Sequence, residues 1–87
     1  MTSSNPVRVL LFGRLGEQIG REIQLDPAVR GQTLGEVKRL LALSHPQAAE
    51  DLASPRLRGC IDDVMADDAS VVGGGVEVAF FPPLSGG

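Results

Sequence analysis

Val76-Glu77-Val78-Ala79-Phe80-Phe81-Pro82-Pro83-Leu84-Ser85-Gly86-Gly87 ends the chain, and what its first half pairs with decides the fold. Residues 76–80 alternate as a strand does. Val76, Val78 and Phe80 take the core face, and Glu77, Ala79 and Phe81 point outward. The second half cannot continue a ladder. Pro82 and Pro83 fix φ, lack N–H donors and favour an extended path. Gly86 and Gly87 leave a thin tip with an unhindered carboxylate. Fully extended, residues 81–87 reach about 23 Å, at about 3.3 Å each. Such a tail suits delivery of a carboxylate into another protein's active site. A frayed terminus has the same composition.

One strand it could pair with stands at the other end of the chain. Val7-Arg8-Val9-Leu10-Leu11-Phe12 is rich in apolar and β-branched residues and reads as a first strand. Val7, Val9 and Leu11 share one face; Arg8, Leu10 and Phe12 share the outer one. Laid side by side in the middle of a sheet, the first and last strands run parallel. Phe12 and Phe81 then end neighbouring strands at the root of the tail, where an exposed apolar patch would mark a partner surface.

Between them, residues 13–20 read as a connector with glycines at 13, 16 and 20. They match neither G-x-G-x-x-G nor a phosphate loop with Lys-Ser/Thr. Arg21-Glu22-Ile23-Gln24-Leu25 alternates polar and apolar and forms a hairpin with the first strand, ended by Asp26-Pro27. Thr33-Leu34-Gly35-Glu36 fits a capping box. Leu34, Val37, Leu40 and Leu41 follow at helical spacing, with Lys38 and Arg39 on the wet side. The helix stops at residue 43 or 44, before Pro46. Residues 47–52 add a short helical turn. Residues 56–66 read as two short strands around a turn at Asp62-Asp63. Gly73-Gly74-Gly75 supplies a tight turn. This order predicts an α+β domain, one main helix across a mixed sheet. A lead-in at 1–6 precedes the domain at 7–81, and a flexible tail at 82–87 follows it.

At 87 residues the chain is one domain, too small for a deep catalytic cleft beside its core. Hydrophobic residues are 43% and charged ones 22%, a globular balance. The net charge of −3, scattered basic residues and absence of Trp and Tyr argue against nucleic acid. No signal peptide or membrane-length apolar run is present, so a cytoplasmic protein with no membrane partner is expected. Cys60 is the sole cysteine and forms no disulfide within the chain. It reads as a small buried hydrophobe. His45 has no nucleophile motif beside it. Asp62, Asp63, Asp67 and Asp68 lack the order of a calcium loop and read as surface turns, and no Cys/His spacing supports zinc. No metal and no bound cofactor are expected, and no self-sufficient active site is legible.

The Phe-Phe-Pro-Pro-x-x-Gly-Gly end on a chain this size resembles the C-terminus of the molybdopterin synthase small-subunit family. Those proteins are sulfur carriers of the ubiquitin-like MoaD/ThiS group. The resemblance spans residues 7–87. It includes Arg8-Val9-Leu10-Leu11-Phe12-Gly13, the turn at Gly20 and the helix from Thr33. It implies a β-grasp fold of about five strands. It also implies that a ubiquitin-activating-like adenylyltransferase spends ATP on the Gly87 carboxylate. A sulfur donor protein then displaces AMP to leave a thiocarboxylate. Sulfur is delivered to cyclic pyranopterin monophosphate in the large subunit, which supplies the acid–base groups. The implied assembly is a heterotetramer.

By the same resemblance Pro82, Pro83, Leu84, Ser85 and Gly86 thread into partner active sites. Phe12, Met65 and Phe81 form the apolar partner contact, Met65 on the resemblance alone. Ile61-Asp62-Asp63 and Gly73-Gly74-Gly75 depart from the family's usual turns, which bears on partner specificity. The competing expectations are a carrier for thiamine or cysteine synthesis, a conjugated ubiquitin-like modifier, or a β-grasp interaction module whose tail has no chemistry.

Overall fold

The computed structural model describes residues 6–73 and 77–82. The lead-in residues 1–5, Gly74, Gly75 and Val76 of the glycine turn, and the tail from Pro83 to Gly87 lie outside the described residues. Five strands form one sheet: β1 (Val7–Leu11), β2 (Glu22–Leu25), β3 (Arg58–Ile61), β4 (Val64–Ala66) and β5 (Glu77–Phe81). Their order is β2-β1-β5-β3-β4, with β1 and β5 parallel and the other pairs antiparallel. The first and last strands therefore meet at the centre, and side by side there they run parallel. The register pairs Val9 with Val78 and Leu11 with Phe80.

Strand parity follows the sequence closely. Val7, Val9, Leu11, Val78 and Phe80 are all buried, and the residues between them are not. The main helix, α2 (Leu34–Ser44), packs across the buried face through Leu34, Val37 and Leu41. The capping box forms: Glu36 N–H donates to Thr33 Oγ1 at 3.2 Å, and Thr33 N–H donates to Glu36 Oε1 at 2.8 Å. These are β-grasp features, a mixed sheet holding one long helix, as the resemblance implied.

The connector at 13–20 is corrected. Residues Arg14–Gln18 form a short helix, α1. Leu15 is buried and Ile19, four positions on, packs against the core, so the segment has an inner face. Its three glycines hide that pattern in the sequence. The short helix α3 (Ala49–Leu52) lies beside it. Gln18 Nε2 donates to Gln47 O at 3.2 Å and Gln47 Nε2 returns a bond to Gln18 O at 2.9 Å. Arg14 Nε stands 3.4 Å from Asp51 Oδ2.

Two side chains of α2 also depart from expectation. Leu40 lies at the edge of the apolar stripe and is exposed. Lys38 is not on the wet side, because a loop from residues 67–70 folds over it and Asp68 pairs with its ammonium. The turn between β3 and β4 has left-handed backbone at Asp62 (φ 48°) and Asp63 (φ 67°), the geometry of a tight hairpin that aspartate tolerates. Asp62 does further work. Its N–H donates to Glu77 O at 2.9 Å and its Oδ1 accepts from Glu77 N–H at 3.1 Å, fixing the start of β5.

Candidate functional site: the open sheet face and the root of the tail

Because Val78 and Phe80 face the core, Glu77, Ala79 and Phe81 face the uncovered side of the sheet. The register carries this across four strands. Leu10 pairs with Ala79, Ala79 with Cys60, and Cys60 with Met65. The result is one apolar row across the open face, half-buried at Leu10, Ala79 and Cys60 and exposed at Met65. Cys60 Sγ lies 3.5 Å from Met65 Sδ. On one side of the row Arg8 pairs with Glu77 in register and as an ion pair. On the other, towards the tail, Phe81 stands opposite Arg58.

The tail leaves from the middle of this sheet. Phe12 N–H donates to Phe80 O at 3.0 Å, so the β1–β5 ladder continues to the last turn of chain before the prolines. Gly13 follows, with φ 64° and ψ −138°. A Cβ added there would stand 2.8 Å from Pro82 Cγ and 3.2 Å from its Cδ. Only glycine takes this backbone without strain and leaves room for the proline. The contact makes Gly13 the seat of Pro82, which the sequence reading took for a plain turn residue.

Of the three residues expected to form the partner contact, Phe12 and Phe81 stand at this root, and Met65 lies two strands away on β4. Met65 is 59% exposed at the outer end of the row and Phe12 is 50% exposed. Phe12 also lines a depression of about 220 Å³ with Leu15, Leu57 and Pro82, so it looks toward the helical side as well as the open face. Phe81 is half-buried, less exposed than its parity alone suggests. Cys60, expected as a buried hydrophobe, is corrected: it lies half-buried on this open face. Alternation placed Leu10 and Ala79 on the outer face, but only the register joins them to Cys60 and Met65. The roles assigned to Pro83, Leu84, Ser85, Gly86 and Gly87 fall outside the described residues.

Among the described residues no group of three or more His, Cys, Asp or Glu side chains is arranged to hold a metal ion. No helix among them is long and apolar enough to cross a membrane. What the arrangement can do is present an apolar face to a partner beside the end of the central strand β5.

A five-stranded mixed sheet with parallel central strands and one main helix defines a ubiquitin-like β-grasp protein. The model of the ThiS family matches residues 9–87, and the chain belongs to that family. No curated protein matches the sequence. Among solved structures, the crystal structure of SAMP1 from Haloferax volcanii is similar over 95% of this chain and 100% of its own, at 26% identity and a TM-score of 0.74. The solution structure of small archaeal modifier protein 1 from Methanosarcina acetivorans covers 99% of this chain and 100% of its own. At 19% identity and a TM-score of 0.74, it supports the fold.

Proposed function

We propose that the chain is the sulfur carrier of a molybdopterin synthase, its small subunit, and that Gly87 carries the sulfur. The family match running through Gly87 supports a carrier, and the Phe80-Phe81-Pro82-Pro83 root before Gly86-Gly87 is what favours the molybdopterin synthase subunit among carriers. An activating enzyme supplies ATP. One oxygen of the Gly87 carboxylate attacks the α-phosphorus, pyrophosphate leaves, and the acyl adenylate forms. A persulfide on the donor then attacks the acyl carbon, the C–O bond to AMP breaks, and a thiol reductant cleaves the S–S bond of the resulting acyl disulfide to leave the thiocarboxylate. In the large subunit its sulfur bonds to a side-chain carbon of cyclic pyranopterin monophosphate, and water then cleaves the acyl–sulfur bond, leaving the sulfur on the pterin and returning the Gly87 carboxylate. This chain contributes position rather than acid–base groups. Gly86 and Gly87 bring no Cβ into a narrow channel, and Pro82 and Pro83 reduce the entropy lost on threading. No cofactor needs to be bound here, since ATP belongs to the partner's chemistry.

A second reading is a ubiquitin-like modifier, whose activated Gly87 is passed to a lysine of another protein. The similarity to small archaeal modifier proteins favours it. Incubation with ATP, an activating enzyme and a sulfur donor separates the two. The carrier reading expects an intact mass raised by one oxygen-to-sulfur exchange at the C-terminus, lost when Gly87 is deleted. A mass unchanged in the presence of active enzyme sinks it. Isopeptide-linked conjugates without a thiocarboxylate species would establish the modifier instead.

The partner surface has its own test. Phe81→Ala and Met65→Ala are expected to weaken large-subunit binding, Phe81→Ala by at least about 2 kcal/mol, the size of a central interface aromatic. Calorimetry on the folded variants measures it, and unchanged affinity removes the residue concerned from the contact.

A further inference from the structure

Lys38 is the chain's one lysine; all other basic side chains are arginines, at 8, 14, 21, 30, 39, 56 and 58. Guanidinium groups stay protonated and do not compete as acyl acceptors. Any branched linkage between copies of this chain would therefore have to pass through Lys38. We propose that Lys38 is locked against acylation by Asp68, so that the chain donates its activated C-terminus and does not accept that of another copy. The inference rests on the reading that Gly87 is activated.

The lock is built by backbone. The first turn of α2 has N–H groups without intrahelical partners. Leu34 N–H donates to Ser70 O at 2.8 Å and Gly35 N–H donates to Asp68 O at 3.0 Å, which docks the 67–70 loop onto the helix. Gly35 permits the approach, since a Cβ there would lie 3.3 Å from both Asp68 Cβ and Asp68 O. The loop is stiffened from within. Asp67 Oδ1 accepts from Ala69 N–H and from Ser70 Oγ, each at 3.0 Å, and Asp67 N–H donates to Ser70 Oγ at 3.1 Å.

Residue 38 lies one turn beyond residue 35 on the same helix face. Its Nζ reaches Asp68 Oδ1 at 2.7 Å and stands 5.9 Å from the centroid of the buried Phe80 ring. The lysine side chain is only 13% exposed, whereas Asp68 is 68% exposed. The nitrogen is thus held between a carboxylate and a ring face. Acylation needs that nitrogen released from the ion pair. The neutral amine must offer its lone pair to the Gly87 acyl carbon of the adenylate. The C–N bond then forms, the C–O bond to AMP breaks and the amine loses a proton to solvent. Lys38 also lines a depression of about 810 Å³, so water and small reagents reach its surroundings. What is withheld is the nitrogen itself, tied to Asp68 and turned in over the Phe80 ring.

The test is acetylation of the full chain by an N-hydroxysuccinimide ester, mapped by peptide mass over time. In the folded protein Lys38 should react at least about tenfold more slowly than in the urea-unfolded chain, the scale of one charge-assisted hydrogen bond. Asp68→Asn, and Asp68→Ser as a second variant, should recover most of that rate while circular dichroism shows the fold intact. Equal rates in folded and unfolded wild type overturn the proposal, and so does an unchanged Lys38 rate in both folded variants. With ATP and activating enzyme, a wild-type dimer linked through Lys38 would overturn it as well. The labelling result is independent of whether Gly87 is charged, so failure of the lock and failure of the carrier reading are separately visible.

Discussion

Phe80→Ala is expected to lower the stability of the domain by about 3–5 kcal/mol, the range for emptying a buried phenylalanine site. Phe80 is fully buried on β5, between β1 and β3 at the centre of the sheet. Its neighbours in the core come from both the sheet and α2. A chain of 87 residues has little reserve. Domains hold about 5–15 kcal/mol in all, small ones towards the lower end. The variant should therefore be barely folded, with a urea midpoint far below wild type and an unchanged slope. Phe81→Ala is the control, one residue on and facing the open side. Its cost should stay below that of Phe80→Ala by at least about 2 kcal/mol, because a partly exposed ring leaves no comparable cavity. Similar losses at the two positions would mean that the strand parity is wrong.

Gly13→Ala acts on the tail rather than the core. Alanine meets two obstacles, left-handed backbone and the Pro82 ring 2.8 Å from its Cβ. The first costs about 1–2 kcal/mol and the second about 1–3 kcal/mol if the ring cannot move. If Pro82 moves instead, the root of the tail is re-aimed. A displacement of about 1 Å at a reacting group can cost about a hundredfold in rate. The variant is thus expected to charge with sulfur about a hundredfold more slowly at the C-terminus while the domain stays folded. Gly31→Ala separates strain from position. Gly31 also has positive φ, 93°, but a Cβ there meets nothing within 4 Å. It should lose stability and keep its charging rate. Adding Pro82→Ala to Gly13→Ala should recover rate more than stability. Full charging by Gly13→Ala alone would show that the Gly13–Pro82 contact does not position the tail.

The parts of this protein that were readable in its sequence are those set by near neighbours. Alternation over five residues placed Val78 and Phe80 inward because side chains on a strand must change face at each step. Thr33 and Glu36 announced the start of α2 because a cap is a contact across three positions. The short helix α1 escaped notice because glycine is a poor helix former and only burial of Leu15 against the core outweighs that.

Contacts between distant residues had no such signal. Pro82 meets Gly13 because β1 and β5 pair in parallel and bring both strand ends to one place. Lys38 meets Asp68, 30 residues away, only after a loop docks on the first turn of α2. Leu10, Ala79, Cys60 and Met65 become one row only through the register of three strand pairs. Local pattern thus settles which face each residue takes. Which faces come together depends on chain closure over long separations, and that is decided by the packed fold.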